Sequence, residues 1–329
     1  MSPSRRSLLA GVATVLAGCN APDDSTATPT GTDHSDTDAA ISTARRHLRD
    51  ALSAYVEHAG PGATLLDITA TSEGAFTPEP VVNACRAANE AIRKGRRNAS
   101  GGQQQTLDQL AAASVFLRES ATLQHDLRRA ADALADLRRV VYRDEMDPTR
   151  TERSPVERVL EESNAHADIV TAQDPAAVAS VLDALDEATV RSKRTQFGAE
   201  DRQLWDLSSV LLSVLSGTSA LGAGWTAWRE EAFDDATHEF RLAVEDFGSA
   251  AAHLDEAWTA AFRTFGAQVT DVVDALQAGS QRLHDAAVAM TEGRSDAADR
   301  NRDRARAALR ENETVVEEIR AVQPILDGE

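Results

Sequence analysis

The feature that most constrains the fold is a run of apolar residues at helical spacing between positions 107 and 141. Most of its members stand three or four residues apart, which places them on one face of an α-helix. A face of this length predicts a long bundle helix or one arm of a coiled-coil-like hairpin. Its members are Leu107, Leu110, Ser114, Leu117, Ala121, Leu127, Ala131, Leu134, Leu137 and Val141.

Helical spacing also recurs before this run, and no stretch shows sustained two-residue alternation rich in Val, Ile and Tyr. A first helix is predicted to start near Thr37 or Asp38 and to end at Gly60-Pro61-Gly62. Its apolar face holds Ile41, Ala44, Leu48, Leu52 and Tyr55. A second helix is predicted to open at Thr77-Pro78-Glu79-Pro80, since proline is tolerated in a first turn.

Beyond the long run, two further helix starts are marked by polar residues before proline. Ser154-Pro155-Val156-Glu157 has the pattern of a capping box. Asp174-Pro175 predicts a helix that buries Val178, Val181, Leu182 and Leu185. The segment 199–231 is apolar on a broad face and is predicted to lie centrally in a core. We therefore predict an all-α fold of long antiparallel helices, arranged as a bundle or a hairpin stack.

The N-terminus has the pattern of an export signal. Residues 4 to 9 read Ser-Arg-Arg-Ser-Leu-Leu, and the following apolar stretch ends at Leu16-Ala17-Gly18-Cys19. An apolar run this short spans only about 16 Å as a helix, well below the roughly 30 Å of a bilayer core. A charged start, a short apolar run and small residues at its end predict a cleaved signal peptide covering residues 1–18.

Two motifs within this segment resemble known export and lipidation signals. Arg5-Arg6 before Ser-Leu-Leu resembles a twin-arginine export signal, and Leu16-Ala17-Gly18-Cys19 resembles a lipobox. The resemblance implies that Cys19 is lipidated and becomes the first residue of the mature chain. The protein would then be anchored to the outer face of the cell membrane through lipid on Cys19. The alternative is a buried N-terminal helix with an ordinary cysteine.

Residues 19–40 are predicted to form an acidic, disordered linker between this anchor and the folded body. Residues 20–40 contain five aspartates, many Thr and Ser, and no large apolar residue. Such a segment cannot bury enough apolar surface to fold. The rest of the chain is predicted to divide into an N-terminal helical region, residues 41–147, and a C-terminal helical bundle, residues 154–329.

The net charge of the chain limits which classes of partner it can bind. With 53 acidic and 34 basic residues the formal net charge is −19, which disfavours nucleic acid as a ligand. Only two of the basic residues, Lys94 and Lys193, are lysines. Acidic excess with little lysine resembles proteins of salt-loving archaea, whose charges are screened in molar salt. A GC-rich genome, which also favours arginine, is the alternative reading.

A weak internal repeat lies in the C-terminal region. Residues 233–247 and 295–309 align at an offset of 62 positions. The offset pairs Ala236 with Ala298, Ala243 with Ala305, and Phe247 with Leu309. The first segment resembles the second helix of a tetratricopeptide repeat, with Phe233, Ala236, Phe240 and Ala243 at aromatic and small positions. The resemblance implies degenerate helical hairpins, and a chance match of two alanine-rich helices is the alternative.

No motif predicts catalysis. The sequence lacks a Glu-x-x-His pair, a His-Glu-x-x-His motif, a Gly-x-Ser-x-Gly elbow, a P-loop and a dinucleotide fingerprint. Asp235-x-x-His238 and His253-x-x-Glu256 are pairs that arise easily in an acidic helical protein, so we predict no metal site and no cofactor. Cys85 lies on an apolar helix face and is interpreted as a small buried residue.

Two surface features remain. Asn98-Ala99-Ser100 and Asn312-Glu313-Thr314 are glycosylation sequons, so Asn98 and Asn312 are candidate acceptors on an exported chain. Arginines at 300, 302, 304, 306 and 310 alternate with aspartates at 296, 299 and 303. This run is interpreted as a solvated face with local ion pairs, and a docking surface for an acidic partner is the alternative.

Together these patterns predict an extracytoplasmic, lipid-anchored binding or scaffold protein with no catalytic role and with a protein partner at the cell surface. The alternative is a solute-binding lipoprotein with an aromatic pocket near Trp205, Trp225, Trp228 and Trp258. All four tryptophans fall among the ten of 14 aromatic residues that lie between Phe197 and Phe265, a cluster that is more often core than pocket. An enzyme with an unfamiliar site is a third reading.

Overall fold

The computed structural model describes residues 32–72, 76–143, 154–254 and 257–328. Throughout these ranges the regular structure is helical and no strand occurs, which confirms the predicted all-α fold. The helices are α1 (Thr32–Val56), α2 (Glu79–Gly95), α3 (Gly101–Tyr142), α4 (Pro155–Ala172), α5 (Pro175–Ala179), α6 (Glu187–Arg229), α7 (Phe233–Ala252), α8 (Arg263–Thr291), α9 (Ser295–Arg310), α10 (Glu313–Glu318) and α11 (Gln323–Asp327).

The first helix starts earlier than predicted. Because α1 begins at Thr32, the predicted disordered linker does not hold for residues 32–40, which are helical. Carboxylates near a helix N-terminus are favourable against its dipole, and Asp36 stands near the start of α1. Asp38 is also held by Gln103 of α3, whose Nε2 donates to Asp38 Oδ1 at 2.8 Å.

One predicted helix is much shorter than its pattern suggested. The Asp174-Pro175 start is correct, and Asp174 Oδ1 accepts from Ala176 N at 3.1 Å. However, α5 ends at Ala179 after five residues. Val181, Leu182 and Leu185 are buried from the turns that follow, because a buried turn can place apolar residues on the core as a helix does.

The central helix is α6, which has 43 residues and an estimated length of roughly 64 Å. It begins at Glu187, ahead of the predicted apolar segment, and Asp186 Oδ1 caps it by accepting from Thr189 N at 2.6 Å. Among the described residues α6 is the one helix long and apolar enough to cross a membrane. Its most apolar window is 56% buried inside the protein, in keeping with a core helix.

The predicted N-terminal and C-terminal regions share one hydrophobic core. A single cluster of buried side chains runs from Ala44 in α1 to Leu326 in α11. Gln124 of α3 contacts Lys193 of α6. Farther along both helices, Arg138 of α3 and Gln203 of α6 contact the start of α8 and the segment before it. The two long helices therefore run in the same direction.

Because of this arrangement, the start of α1 and the end of α6 lie at opposite ends of the protein. The start of α1 is fixed beside the start of α3 through Asp38 and Gln103. At a rise of 1.5 Å per residue along α3 and then α6, the end of α6 lies roughly 80 Å away.

The weak repeat corresponds to two helical hairpins, α6–α7 and α8–α9. Both members of each predicted pair are fully buried, including Phe247 and Leu309. The repeat also extends to a contact that the sequence analysis did not anticipate. A Cβ added at Gly217 would meet the Phe247 ring at 2.6 Å, and one at Gly279, 62 positions later, would meet Leu309 at 2.6 Å.

The two hairpin turns have the same geometry. In the first, Ala232 N donates to Ala227 O at 2.9 Å, and in the second Arg294 N donates to Ala289 O at 2.8 Å. Each turn contains one residue with positive φ, which is Glu231 at 61° in the first and Gly293 at 73° in the second. This is the bonding pattern of a Schellman motif, in which glycine is favoured at the positive-φ position.

The difference between the turns gives a stability prediction. Glu231→Gly should raise the free energy of unfolding by about 1 kcal/mol, because a side chain at positive φ crowds the backbone and glycine does not. Gly293→Glu, the reciprocal change at the equivalent position, should lower it by a similar amount. Chemical denaturation in molar KCl measures both, and a change of the same sign in the two variants would contradict the assignment.

Candidate functional site

A groove opens at the end of the protein formed by the two hairpin turns, and we call it the tip groove. Its volume is about 480 Å³. Its walls come from the end of α6, the first turn of α7, the end of α8, one face of α9 and Gly328 after α11. The side chains that line it are Trp225, Trp228, Arg229, Glu231, Phe233, Met290, Ser295, Asp299, Arg302 and Arg306.

The groove has an aromatic floor. The Trp225 and Trp228 rings are parallel, with centroids 6.4 Å apart, and Phe233 meets Trp228 edge-on at 5.4 Å. Trp225 is buried, whereas Trp228, Phe233 and Met290 are half-buried and partly open to solvent. Apolar side chains left open in a concave surface are typical of binding sites.

The four tryptophans do not form one pocket. Trp205 lies about 30 Å from Trp225 along the same helix. Trp258 covers Gly266, where an added Cβ would meet its ring at 2.4 Å. Its neighbour Thr259 bonds to Gln203, close to Trp205 and far from the groove. The predicted aromatic pocket therefore reduces to Trp225 and Trp228.

The repeat offset shows why the groove is open. Position 302 in the second hairpin corresponds to Phe240 in the first, which is fully buried against Gly224. An arginine at this position keeps its charged group at the surface instead of filling the space between helices. Arg302 Nη2 lies 2.9 Å from Asp299 Oδ1, and its Nε is buried with no acceptor among the described residues.

Not all of the arginine run is a solvated face with local ion pairs. Arg302 forms such a pair with Asp299, and Arg306 lies 3.9 Å from Asp303. In addition, Arg306 Nε donates to Ile325 O at 2.9 Å and Arg310 Nη2 donates to Leu326 O at 2.8 Å. These two arginines fasten α11 to α9, and this holds Gly328 at the edge of the groove.

A second cluster of functional groups lies inside the protein and was missed by the sequence analysis. Lys193 of α6 is fully buried. Its Nζ donates to Ile68 O at 2.5 Å, to Gln124 Oε1 at 2.8 Å and to Gln196 Oε1 at 3.3 Å. It also lies 4.6 Å from the centre of the Phe197 ring. We call Lys193, Glu200, Gln124, Gln196 and Tyr55 the lysine cluster.

The lysine cluster holds the connection between α1 and α2 against α6. Glu200 Oε2 accepts from Ala70 N at 3.0 Å, and Gln196 Nε2 donates to Ile68 O at 3.0 Å. Lys193, Gln196 and Glu200 stand on one face of α6, so a single helix face binds both backbone groups of the connection. Tyr55 joins from α1 by donating to Ser120 O at 3.2 Å.

Burial dominates the electrostatics of this cluster. It lowers the pKa of Lys193 to about 7, against the opposing attraction of Glu200 and Asp67. It also raises the pKa of Glu200, although Lys193, Gln196 and the Ala70 amide favour the carboxylate. A lysine with a lowered pKa can serve as a nucleophile or base, but a fully buried Nζ with three acceptors is saturated by its neighbours. The contacts indicate a structural role.

The residues of the predicted export and lipidation signal, Arg5, Arg6, Leu16, Ala17, Gly18 and Cys19, lie outside the described residues. Both sequons are described. Asn98 is exposed in the turn between α2 and α3. Asn312 is half-buried, and its Oδ1 caps α10 by accepting from Val315 N at 3.1 Å. A glycan therefore has freer access to Asn98 than to Asn312.

The remaining side chains that could carry chemistry, a cysteine and a histidine–glutamate pair, contribute to helix packing. Cys85 is buried beside Ser114, and burial raises the pKa of its thiol to about 11. His166 Nδ1 lies 2.6 Å from Glu119 Oε2, joining α4 to α3. Burial would raise the pKa of Glu119, but bonds from His166 and Arg118 outweigh it and lower that pKa. Within the described ranges no three His, Cys, Asp or Glu side chains are arranged to hold a metal ion.

Comparison of the chain with protein-family models, with curated proteins and with solved structures gives no match.

Proposed function

We propose that this protein is an exported, lipid-anchored binding protein with no catalytic role, which holds a protein partner in the tip groove at the outer face of the cell membrane. The observation that carries the proposal is the tip groove itself. Its floor is aromatic and open, and arginines stand beside that floor. Aromatic residues and arginine are the types enriched where proteins bind one another.

The position of the groove supports the same proposal. An anchor at Cys19 lies before α1, whereas the groove lies at the other end of the protein, roughly 80 Å from the start of α1. A groove at this end is directed away from the bilayer and is accessible to a partner on or beyond the cell surface. Long helices with one continuous core provide a rigid spacer between anchor and groove.

The test is site-specific photo-crosslinking in intact cells at their native salt concentration. A benzoylphenylalanine placed at position 295, where an exposed serine lines the groove, should give one dominant protein adduct. The control places the same group at position 191, an exposed site near the start of α6 and far from the groove. No adduct at position 295, or the same adducts at both positions, would show that the groove is not the binding site.

The anchor is tested by cell fractionation. Cys19→Ser should lose the lipid mass and move the protein from the membrane fraction to the medium, because the proposal assigns the anchoring to the lipid on Cys19. The adduct at position 295 should be lost with it only if the partner is itself bound to the membrane. A Cys19→Ser protein that stays in the membrane fraction would contradict lipid anchoring.

A second candidate function is the binding of a small solute, favoured by the parallel Trp225 and Trp228 rings at the groove floor. The volume of about 480 Å³ is within the usual range for ligand pockets. Against this, such pockets bury most of their ligand, and most groove side chains here are exposed or half-buried. A dialysable cell extract that shifts the tryptophan emission of the wild type but not of Trp228→Ala would favour the solute.

A further inference from the structure

We propose that the occupant of the tip groove is an acidic peptide segment of another protein, carrying at least one large apolar side chain. The inference rests on the proposed binding function and specifies the chemistry of the partner. It follows from the groove floor, from the charges on its walls, and from the length of chain available to reach it.

The floor selects for an apolar side chain. Trp228, Phe233 and Met290 are half-buried and line the groove between the two hairpin turns. Phe233 is fixed edge-on against Trp228, so the surface is already formed before a partner arrives. A preformed surface binds with less loss of conformational entropy than one that must be ordered on binding.

The walls select for negative charge. Among the described residues, three arginines line the groove against two acids, Glu231 and Asp299, in a chain whose net charge is −19. The groove is thus locally basic on a protein that is acidic elsewhere. In molar salt the Debye length is about 3 Å, so only charges in direct contact with a ligand contribute there. Guanidinium groups are well suited to this, because they bind carboxylates through two parallel hydrogen bonds.

The arginines also have unused donors. Arg229 lies in the last turn of α6 and forms no ion pair within the described ranges. Arg302 contacts Asp299 through Nη2, and its side chain is 29% exposed, so part of its guanidinium stays open to a ligand. Arg306 is held in place by Ile325 O. Two arginines with spare donors and a third that is immobilised form a rim that matches a run of carboxylates.

The acidic segment of the same chain is too short to be the occupant. From Cys19 to the start of α1 there are 13 residues, which reach at most about 45 Å when fully extended. The groove lies roughly 80 Å from that point. The occupant is therefore not the segment between Cys19 and α1, and we assign it to another molecule.

The experiment uses the purified full chain in molar KCl and a phage-displayed library of random dodecapeptides. Wild-type protein should enrich peptides that combine several Asp or Glu with Leu, Phe or Trp. Arg229→Gln and Arg302→Gln should each weaken binding of a selected peptide roughly tenfold, since each removes a charge-assisted contact. Trp228→Ala should abolish enrichment. Arg241→Gln is the matched control, because Arg241 is exposed on α7 and pairs with Glu245 outside the groove.

Failure of the inference and failure of the proposed function give different results. Peptides that need Trp228 but are neutral or basic would overturn the acidic assignment and leave the groove as a binding site. If wild-type protein enriched no peptide more strongly than Trp228→Ala does, the assignment of a peptide as the occupant would be overturned. Binding of anionic phosphatidylglycerol vesicles that is lost in Arg229→Gln would assign the rim to a lipid surface instead. The crosslinking experiment at position 295, which leaves all three groove arginines in place, decides the binding function itself.

Discussion

Replacing Lys193 by methionine should lower the free energy of unfolding by about 3 kcal/mol, a large fraction of the stability of a typical domain. Methionine fills a similar volume but leaves Ile68 O and Gln124 Oε1 each with one hydrogen bond fewer. It also leaves Glu200 buried without the attraction of the lysine, and removal of one buried charge usually costs more than removal of both. Urea denaturation in molar KCl measures the change.

The remaining lysine is the control. Lys94 is exposed near the end of α2, and Lys94→Met should change stability by less than about 0.5 kcal/mol. The double variant Lys193→Met with Glu200→Gln should cost about 1–2 kcal/mol less than the sum of the single changes. Strict additivity would show that the lysine and the glutamate are independent.

The free energy of unfolding should also depend on pH, and differently in wild type and in Lys193→Met. The folded-state pKa of Lys193 is about 7, below its ordinary value of 10.5. Between these pH values the unfolded chain holds more protons than the folded one, so this residue makes the wild type more stable as pH rises. Glu200 has the opposite sign, because its raised pKa makes the folded state hold an extra proton above pH 4.5. The stability difference between wild type and Lys193→Met should therefore widen from pH 7 towards pH 10.

The helices were predictable because their signals are local. The long α3, the proline-marked starts of α2 and α4, and the buried face of α6 all follow from spacing within one segment. Errors arose where local signals compete or end. Asp36, which indicated a linker, also favours the start of a helix, and apolar residues after α5 are buried from turns.

The two clusters could not be predicted in full, because they join residues distant in sequence. Lys193 meets Gln124, 69 positions away, and Ile68, 125 positions away. One signal was nonetheless present, since one of only two lysines stands on the same helix face as Val190 and Phe197. The tip groove forms only where the two hairpin turns lie side by side. The weak repeat indicates that two similar hairpins exist, but it does not indicate how their turns are arranged. The predicted pocket of four tryptophans failed for the opposite reason. Trp205 and Trp225 are close in sequence, but they lie far apart along one helix.

Gly224→Ala should destabilise the protein by about 1–2 kcal/mol, although alanine favours helices over glycine. A Cβ at this position would lie 2.6 Å from the Phe240 ring, which is fully buried, so the ring or the α7 helix must shift to make room. The strain should exceed the gain in helix propensity, which is about 1 kcal/mol at most. Thermal denaturation of the full chain in molar KCl measures the net effect.

Gly222 is the matched control, because it lies two residues away on α6 and a Cβ there would have no neighbour within 4 Å. Gly222→Ala should therefore raise the free energy of unfolding by about 0.5–1 kcal/mol, the opposite sign to Gly224→Ala. Since Gly217 meets Phe247 in the same way, Gly217→Ala should behave like Gly224→Ala. If Gly224→Ala and Gly222→Ala stabilised the protein equally, α6 and α7 would not be packed as closely as their glycine–phenylalanine contacts require.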